Sequence, residues 1–284
     1  MEVVVNKIIP FSSVDGPGNR TAIFLQGCNI NCKYCHNPET RGMCQKCGVC
    51  VDKCLQNALE KRITATGEIE IVFKKQICVG CDTCIHVCPH DSSPRTSVMD
   101  EIMVFDEVKK QMPFIRGITV SGGECMLQPA FITELFKLAK EVNLSTMIDS
   151  NGTIDFSEKP ELLAVTDSVM LDIKAFDCND HQKITGSVND IVIKNAVFLA
   201  EAGKLFEVRV VVVPDLYDAE QSVNDIANLL APYNTQNTIR IKLISYRPMG
   251  VREEYKNLKV PDAKYMQKLS QILYNQGFSD VLVV

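Results

Sequence analysis

The sequence has no long apolar run and no excess of positive charge, and these two absences exclude several functions. No apolar run approaches the roughly 18 residues that a membrane-spanning helix needs. The N-terminus lacks a basic stretch followed by a long apolar one, so no signal peptide is expected. Lys and Arg number 30 against 35 Asp and Glu, a formal charge of -5, which argues against nucleic acid as the main partner. We therefore expect a cytoplasmic protein with no membrane and no nucleic-acid partner.

Cysteine is the residue whose number departs most from ordinary composition. Eleven of the 13 cysteines fall in three tight groups between Cys28 and Cys88. A secreted disulfide protein would spread an even number of cysteines through a short chain. Clustered free thiols in a reducing cytosol usually bind metal instead. The two cysteines outside these groups, Cys125 and Cys178, are expected to be small buried side chains.

The distribution of cysteine divides the 284-residue chain into three predicted parts. Residues 1–40 begin a core fold, residues 41–103 form a cysteine-rich insert, and residues 104–284 complete the core. Outside the insert, apolar runs typical of strands alternate with amphipathic segments typical of helices. The run FEVRVVVVP (206–214) predicts a strand buried on both faces, and FITELFKLAKEV (131–142) predicts a helix.

This alternation indicates parallel strands joined by right-handed crossovers. About six strand–helix units are present, which is too few for a closed eight-stranded barrel. The predicted fold is therefore α/β, an open partial (βα)6 barrel with an inserted domain. In such folds the chemistry lies on the loops at the C-terminal ends of the strands.

The stretch CNINCKYCHN (28–37) contains three cysteines, Cys28, Cys32 and Cys35, at the spacing C-x3-C-x2-C. Four thiolates would complete an iron–sulfur cubane, so three leave one iron without a protein ligand. An open coordination site is what a metal centre needs when it binds and acts on a small molecule. The alternatives are a zinc site or a structural cluster, although zinc favours paired C-x2-C units with a fourth ligand.

The motif C-x3-C-x-aromatic-C after a first strand resembles the signature of the radical S-adenosylmethionine (SAM) enzymes. Further segments extend the resemblance along nearly the whole chain, namely IIPFSSVDGPGNR (8–20), CHN (35–37), SGGE (121–124), DSNG (149–152), MLDIK (170–174) and VRVVVVP (208–214). VDGPG and CHN are typical of the glycyl-radical-enzyme activating enzymes within that superfamily. The start of the chain is most similar to the YjjW branch.

The resemblance implies an anaerobic oxidoreductase reaction. SAM bound at a four-iron cluster of Cys28, Cys32 and Cys35 would be reductively cleaved. The resulting 5′-deoxyadenosyl radical would remove a hydrogen atom from a backbone glycine of a partner glycyl radical enzyme, for which a YjjI-like protein is expected. A flavodoxin or ferredoxin-type electron donor and a monomeric state are also expected. Two alternatives are a radical SAM enzyme with a small-molecule substrate and a ferredoxin-like electron-transfer protein on an inactive barrel.

The same resemblance implies a set of residues that bind SAM. They are Tyr34, His36, Gly122, Gly123, Glu124, Asp149, Asp172, Lys174 and Arg209, with a monovalent cation beside Asp149 and Asp172. From the residues alone, the glycine pair is equally consistent with a tight turn. The Asp-x-Lys pair is equally consistent with a surface ion pair, and Arg209 with a structural ion pair.

The chain departs from the related activating enzymes after the sixth strand. Those enzymes often carry a histidine there that meets SAM. In this chain LISYRP places Arg247 at that position. Either the arginine donates to the SAM carboxylate instead, or this contact is reorganised.

Two runs in the insert, CQKCGVCVDKC (44–54) and CVGCDTCIHVCP (78–89), share the spacing C-x2-C-x2-C-x3-C. This spacing resembles the two-cluster bacterial ferredoxins, in which the fourth cysteine of each run ligates the other cluster. The implied ligand sets are Cys44, Cys47, Cys50 and Cys88 for one four-iron cluster, and Cys78, Cys81, Cys84 and Cys54 for the second. The chain would then carry three clusters. Two zinc ions held by the eight thiolates are the alternative. Electron relay, structural support and partner docking all remain open as the role of the insert.

Overall fold

The computed structural model describes residues 1–236 and 238–284 as an α/β fold around one large sheet. The strands, in chain order, are β1 (Val3–Ser12), β2 (Arg20–Leu25), β3 (Leu59–Ile63), β4 (Ile69–Phe73), β5 (Ser97–Met99), β6 (Gly117–Gly122), β7 (Ser145–Ser150), β8 (Ser168–Asp172), β9 (Leu205–Val212), β10 (Arg240–Ser245) and β11 (Val281–Val283). The helices are α1 (Thr83–His86), α2 (Glu101–Lys109), α3 (Pro129–Glu141), α4 (Pro160–Val165), α5 (Cys178–Thr185), α6 (Asp190–Glu201), α7 (Ala219–Leu230) and α8 (Ala263–Asn275).

The large sheet is open and mostly parallel. Within the two described ranges its nine strands follow the order β11-β10-β9-β8-β7-β6-β2-β1-β5. Neighbours from β2 through β6 to β11 pair in parallel. β1 pairs antiparallel with both β2 and β5. Because β5 and β11 are opposite ends of this order, the sheet does not close, and the predicted open partial barrel is confirmed.

Helix α3 shows how the sequence produces the layer that covers the sheet. Pro129 stands in its first turn, where the missing proline N–H costs no hydrogen bond. Phe131, Leu135 and Ala139 recur at the spacing of one helix face and are fully buried. Asn143, just beyond the helix end, adopts a left-handed φ of 60° that stops the helix. In the part of the chain that the structure describes, no helix is long and apolar enough to cross a membrane.

The cysteine-rich segment carries little apolar core of its own. Its strands β3 and β4 form a separate antiparallel pair. The buried residues of its own hydrophobic cluster are Cys50, Leu59 and Cys84. Strand β5 and the start of α2 fall within residues 41–103, yet β5 extends the large sheet. A core this small needs a further source of stability, such as bound metal.

Four of the predicted motifs follow the C-terminal ends of strands that are neighbours in the sheet. Strand β2 leads into the three-cysteine loop, and β6 ends at Gly122. Strand β7 ends at Ser150 and β8 at Asp172. Because parallel neighbours all end at the same edge of a sheet, the loops that carry these motifs converge there.

Candidate active site

A cavity of about 410 Å³ lies at this edge of the sheet. Its lining includes Cys28, Cys32 and Cys35. Eight of the nine predicted SAM-pocket residues line it too, namely Tyr34, His36, Gly122, Gly123, Asp149, Asp172, Lys174 and Arg209. Cys28 and Arg209, 181 positions apart in the chain, therefore share one cavity.

The three-cysteine loop is held in place by the C-terminal end of helix α5. The backbone N–H of Asn31 donates to Thr185 O at 2.8 Å, and the N–H of Lys33 donates to Ile184 O at 3.0 Å. Carbonyls in the last turn of a helix have no partner within the helix, so α5 can accept these bonds without losing its own. The loop is thereby fixed between β2 and a helix rather than being a free surface turn.

Burial determines the protonation of the three thiols. It raises the pKa of Cys28 and Cys35 above the ordinary range and that of Cys32 to about 12. These thiols are therefore protonated at neutral pH in the absence of metal. Because only thiolates ligate metal, binding of a metal centre must release these protons.

Gly122 and Gly123 lie where the end of β6 comes closest to the chain that leaves β2. Gly122 has a φ of 133°, and a Cβ there would lie 2.2 Å from Leu25 O. A Cβ on Gly123 would lie 2.2 Å from Gly27 O. The N–H of Gly123 donates to Leu25 O at 3.0 Å across the same gap. Glycine is required here because two backbones meet, and the same absence of side chains leaves their polar groups open to the cavity.

Asp172 and Lys174 form an ion pair within the cavity wall. Lys174 Nζ lies 2.8 Å from Asp172 Oδ2, and Lys174 is only 9% exposed. The pair is therefore not an ordinary surface ion pair. Burial is the largest single influence and lowers the pKa of Lys174, but the electrostatic interactions with Asp172, Cys32 and Tyr34 together outweigh it, and the pKa lies well above its usual value. The Tyr34 hydroxyl donates to Lys174 O at 3.4 Å and so links this pair to the cysteine loop.

Arg209 is held by two carboxylates. Its Nη1 donates to Asp149 Oδ2 at 2.8 Å, and its Nε donates to Glu207 Oε1 at 2.6 Å. Ser121 Oγ also donates to Asp149 Oδ2, at 3.0 Å. Burial raises the pKa of Asp149, and Arg209 acts in the opposite direction. The structural ion pair that the sequence left open is thus present, on residues that also line the cavity.

Comparison with known proteins identifies the family. Residues 22–230 match the family model of the Radical SAM superfamily. The pyruvate formate-lyase-activating enzyme of Streptococcus mutans is 31% identical to this chain in an alignment of 267 positions that covers 91% of this chain and 82% of that protein. The chain belongs to the glycyl-radical-enzyme activating enzymes of the radical SAM superfamily.

Two further comparisons cover almost the full chain. The 4-hydroxyphenylacetate decarboxylase activating enzyme of Clostridioides difficile strain CD196 is 27% identical over 98% of this chain and 95% of its own length. The crystal structure of QueE from Escherichia coli covers 100% of this chain and 94% of that chain, with a TM-score of 0.58 and 13% identity. At that identity the likeness concerns the fold alone. Membership of the superfamily implies SAM and one four-iron cluster for this activating enzyme.

Glu124, the ninth predicted SAM-pocket residue, does not line the cavity of the activating enzyme. Its carboxylate accepts hydrogen bonds from Met126 N, Ser150 Oγ and Asn151 N at 2.9, 2.8 and 2.7 Å. Burial raises the pKa of Glu124 to about 7 in spite of these donors. These hydrogen bonds connect the turn after β6 to the loop after β7. Glu124 therefore stabilises the cavity wall without facing the cavity.

The chain after β10 covers the three-cysteine loop. His36 Nε2 lies 3.1 Å from Arg247 O, and a Cβ on Gly250 would lie 2.7 Å from His36 O. The Arg247 side chain is exposed and does not line the cavity. Arg252 lines it instead, and its Nη2 donates to Cys32 O at 3.0 Å. Among the residues after β10, the cavity wall therefore includes Arg252 and not Arg247.

Two smaller cavities lie in the cysteine-rich segment. One is lined by Cys44, Cys47, Cys50 and Cys88, and the other by Cys54, Cys78, Cys81 and Cys84. These are the two groups that the ferredoxin-like spacing predicts, including the exchange of the fourth cysteine between the runs. Across residues 1–236 and 238–284, no three His, Cys, Asp or Glu side chains are placed to hold a single metal ion.

Asn151 and Arg252 are among the residues of the cavity wall that sequence reasoning missed. Asn151 Nδ2 lies 3.8 Å from Cys28 Sγ and 3.2 Å from Asn29 Oδ1. Its place in the DSNG segment, at a strand end, was a signal that could have found it. Arg252 carried no such signal, because 220 residues separate it from Cys32.

Proposed function

We propose that this activating enzyme reductively cleaves SAM at a four-iron cluster of Cys28, Cys32 and Cys35. The radical so formed then removes a hydrogen atom from a backbone glycine of a partner glycyl radical enzyme. One observation carries the proposal: three thiols and eight predicted SAM-pocket residues line one cavity at the C-terminal edge of the sheet. Relatives that match nearly the whole chain are named as activating enzymes, which supports the same reaction.

The residues of the cavity fit a cluster with one open iron. Cys28, Cys32 and Cys35 are the cysteines of its wall within the described part of the chain. When bound, such a cluster supplies the one-electron chemistry that SAM cleavage requires. The protein's own contribution is to orient SAM and to exclude water.

The cavity wall offers groups for each part of SAM. Backbone groups at Gly122 and Gly123 suit the methionyl amine, because no side chain stands in front of them. Lys174, held by Asp172, supplies a fixed cation for polar groups of SAM. Tyr34 and His36 stand beside Cys35 and suit the adenine. The carboxylates of Asp149 and Asp172 supply oxygen ligands for a monovalent cation beside SAM.

The partner and the electron donor follow from the same reaction. The two relatives are named for different enzymes, pyruvate formate-lyase and 4-hydroxyphenylacetate decarboxylase, so the class of partner is shared while its identity varies. For this chain we propose a YjjI-like glycyl radical protein, in keeping with a YjjW-like activating enzyme. A flavodoxin or ferredoxin supplies the electron.

For the cysteine-rich segment we propose two further four-iron clusters in a ferredoxin-like arrangement. The support is the grouping of the eight thiols around two cavities. Two of the three buried residues in the segment's hydrophobic cluster are themselves cysteines, so metal ligation would stabilise what apolar burial does not.

The test of the function uses the reduced, reconstituted protein with SAM. Candidate partners are a YjjI-like protein, pyruvate formate-lyase and 4-hydroxyphenylacetate decarboxylase, each labelled with glycine deuterated at the α-carbon. We expect a glycyl radical by electron paramagnetic resonance (EPR) in one of them, and deuterium in the 5′-deoxyadenosine by mass spectrometry. Cleavage of SAM without a radical in any partner would contradict glycine activation and favour a small-molecule substrate.

A further inference from the structure

Arg252 connects three parts of the molecule beside the three-cysteine loop. Its Nη2 donates to Cys32 O at 3.0 Å, and its Nη1 lies 3.6 Å from Asp91 Oδ2 in the cysteine-rich segment. Its guanidinium also lies 5.0 Å from the centre of the Tyr255 ring. We propose that Arg252 is a positioning residue through which the cysteine-rich segment sets the reduction potential of the cluster at Cys28, Cys32 and Cys35. This inference rests on the proposed function, because it requires that cluster.

The Arg252 guanidinium is placed where its charge is poorly screened. Its side chain is 14% exposed, and among the described residues its buried Nε has no hydrogen-bond partner. A charge in such an environment acts more strongly than one in water. Reduction adds one negative charge to a cluster, so a nearby cation favours the reduced form. Hydrogen bonds and charges just outside the ligands are a general means of tuning such potentials.

Asp91 is the residue through which the cysteine-rich segment contacts Arg252. It stands three residues after Cys88, and its backbone carbonyl accepts a hydrogen bond from Gly42 N at 2.7 Å. Its carboxylate also accepts a hydrogen bond from Arg41 Nε at 3.1 Å. Arg41 in turn accepts a backbone hydrogen bond from Cys28 N at 3.0 Å. Asp91 is therefore tied to the start and to the middle of the three-cysteine loop, through Arg41 at Cys28 and through Arg252 at Cys32.

The charges of Arg252 and Asp91 act on the cluster in opposite directions. Loss of the arginine removes a cation and should make reduction harder. Loss of the Asp91 carboxylate leaves the cations of Arg252 and Arg41 less neutralised and should make reduction easier. Opposite shifts separate this linkage from a general loss of folding, which would affect both variants in the same way.

The experiment is a redox titration of the reconstituted protein, followed by EPR on the signal that changes when SAM is added. We expect Arg252→Gln to shift the potential to more negative values and Asp91→Asn to more positive values. Arg252→Lys keeps the positive charge but cannot contact Cys32 O and Asp91 through two separate nitrogens. Its potential should therefore lie between those of the native protein and Arg252→Gln. In the Arg252→Gln background, Asp91→Asn should shift the potential less than in the native protein.

Glu254→Gln is the matched control. Glu254 lies 3.9 Å from the same Nη1 but is 62% exposed, so solvent screens it and no measurable shift is expected. Unchanged potentials in Arg252→Gln and Asp91→Asn at native iron content would overturn the inference, as would shifts of the same sign. Equal shifts for Asp91→Asn in both backgrounds would overturn it too. Absence from the native protein of any four-iron signal that responds to SAM would instead refute the proposed function.

Discussion

Arg209 Nη1 lies 2.8 Å from Asp149 Oδ2, and this ion pair spans strand β8, because its two residues stand on β9 and β7. Between them, Met170 of β8 places its sulfur 3.0 Å from Arg209 Nη2. A charge inside an apolar strand is thus compensated by Asp149 on the same cavity wall and by Glu207 on strand β9 itself. The electrostatic arrangement of the cavity is built into the sheet before SAM binds.

Replacement of Arg209 by methionine should destabilise the protein by about 3 kcal/mol, because Asp149 would be left buried without its cation and Glu207 would keep only the longer contact to Arg240, at 3.7 Å. SAM binding should weaken as well. The check is chemical denaturation of the reconstituted protein together with a SAM titration. Arg62→Met is the control, because Arg62 forms an exposed pair with Glu60, and such pairs contribute little. Equal losses of stability in the two variants would contradict the role given to Arg209.

Glu124 should make stability depend on pH. Burial raises its pKa from 4.5 to about 7, so between these values the folded state binds more protons than the unfolded state. The free energy of unfolding should therefore fall as pH rises through this window, by about 3 kcal/mol in total, and then level off. Glu124→Gln, which carries no titrating group, should lack this component. The check is the Tm of the native protein and of Glu124→Gln between about pH 5 and about pH 8. If Tm changed with pH in the same way in both proteins, Glu124 would not be the source of this pH dependence.

Gly123→Ala should disturb the junction between β6 and the chain that follows β2. The new Cβ would lie 2.2 Å from Gly27 O and 2.7 Å from Thr40 O, and these backbone atoms cannot rotate away. We expect a lower Tm and weaker SAM binding. In the control Gly67→Ala, φ is 82° and no atom lies within 4 Å, so the cost is only that of a left-handed residue, about 1–2 kcal/mol. If Gly123→Ala changed Tm no more than the control, the close approach would not matter.

Cys81→Ala tests the cysteine-rich segment. The native protein should bind about twelve irons as three four-iron clusters, and the variant should lose iron from the segment. With dithionite, a strong reductant that reaches the SAM cluster directly, the variant should still produce 5′-deoxyadenosine. With a protein electron donor it should fail to generate the glycyl radical if the segment relays electrons. Normal activation of the partner by a folded Cys81→Ala protein would exclude the relay and leave structural support or partner docking as the role.

The parallel strands were predictable because burial on both faces produces continuous apolar runs. The run at 206–214 corresponds closely to β9, Leu205–Val212. Strand β1 was not predicted, because its second half is largely exposed and interrupted by a bulge next to β2. The hairpin of β3 and β4 also escaped prediction, since half of its side chains are exposed and only Leu59 is buried.

The sequence was enough to place the site motifs together at the ends of neighbouring strands. It was not enough to predict which way individual side chains point. Glu124 shares the SGGE segment with Gly122 and Gly123, yet it does not line the cavity, because the backbone turns at Gly122 with a positive φ. Arg252 acts on Cys32 only through the folded chain after β10. Such contacts depend on tertiary packing, which a local pattern does not contain.

The most direct measurement is the yield of 5′-deoxyadenosine, by chromatography, from SAM and dithionite with the native protein, Cys32→Ala and Cys81→Ala. Cys32 stands in the wall of the 410 Å³ cavity, and Cys81 stands in the separate cysteine-rich segment. We predict 5′-deoxyadenosine from the native protein and from Cys81→Ala, and none from Cys32→Ala. Cleavage of SAM by Cys32→Ala would contradict the assignment of Cys28, Cys32 and Cys35 as the ligands of the catalytic cluster.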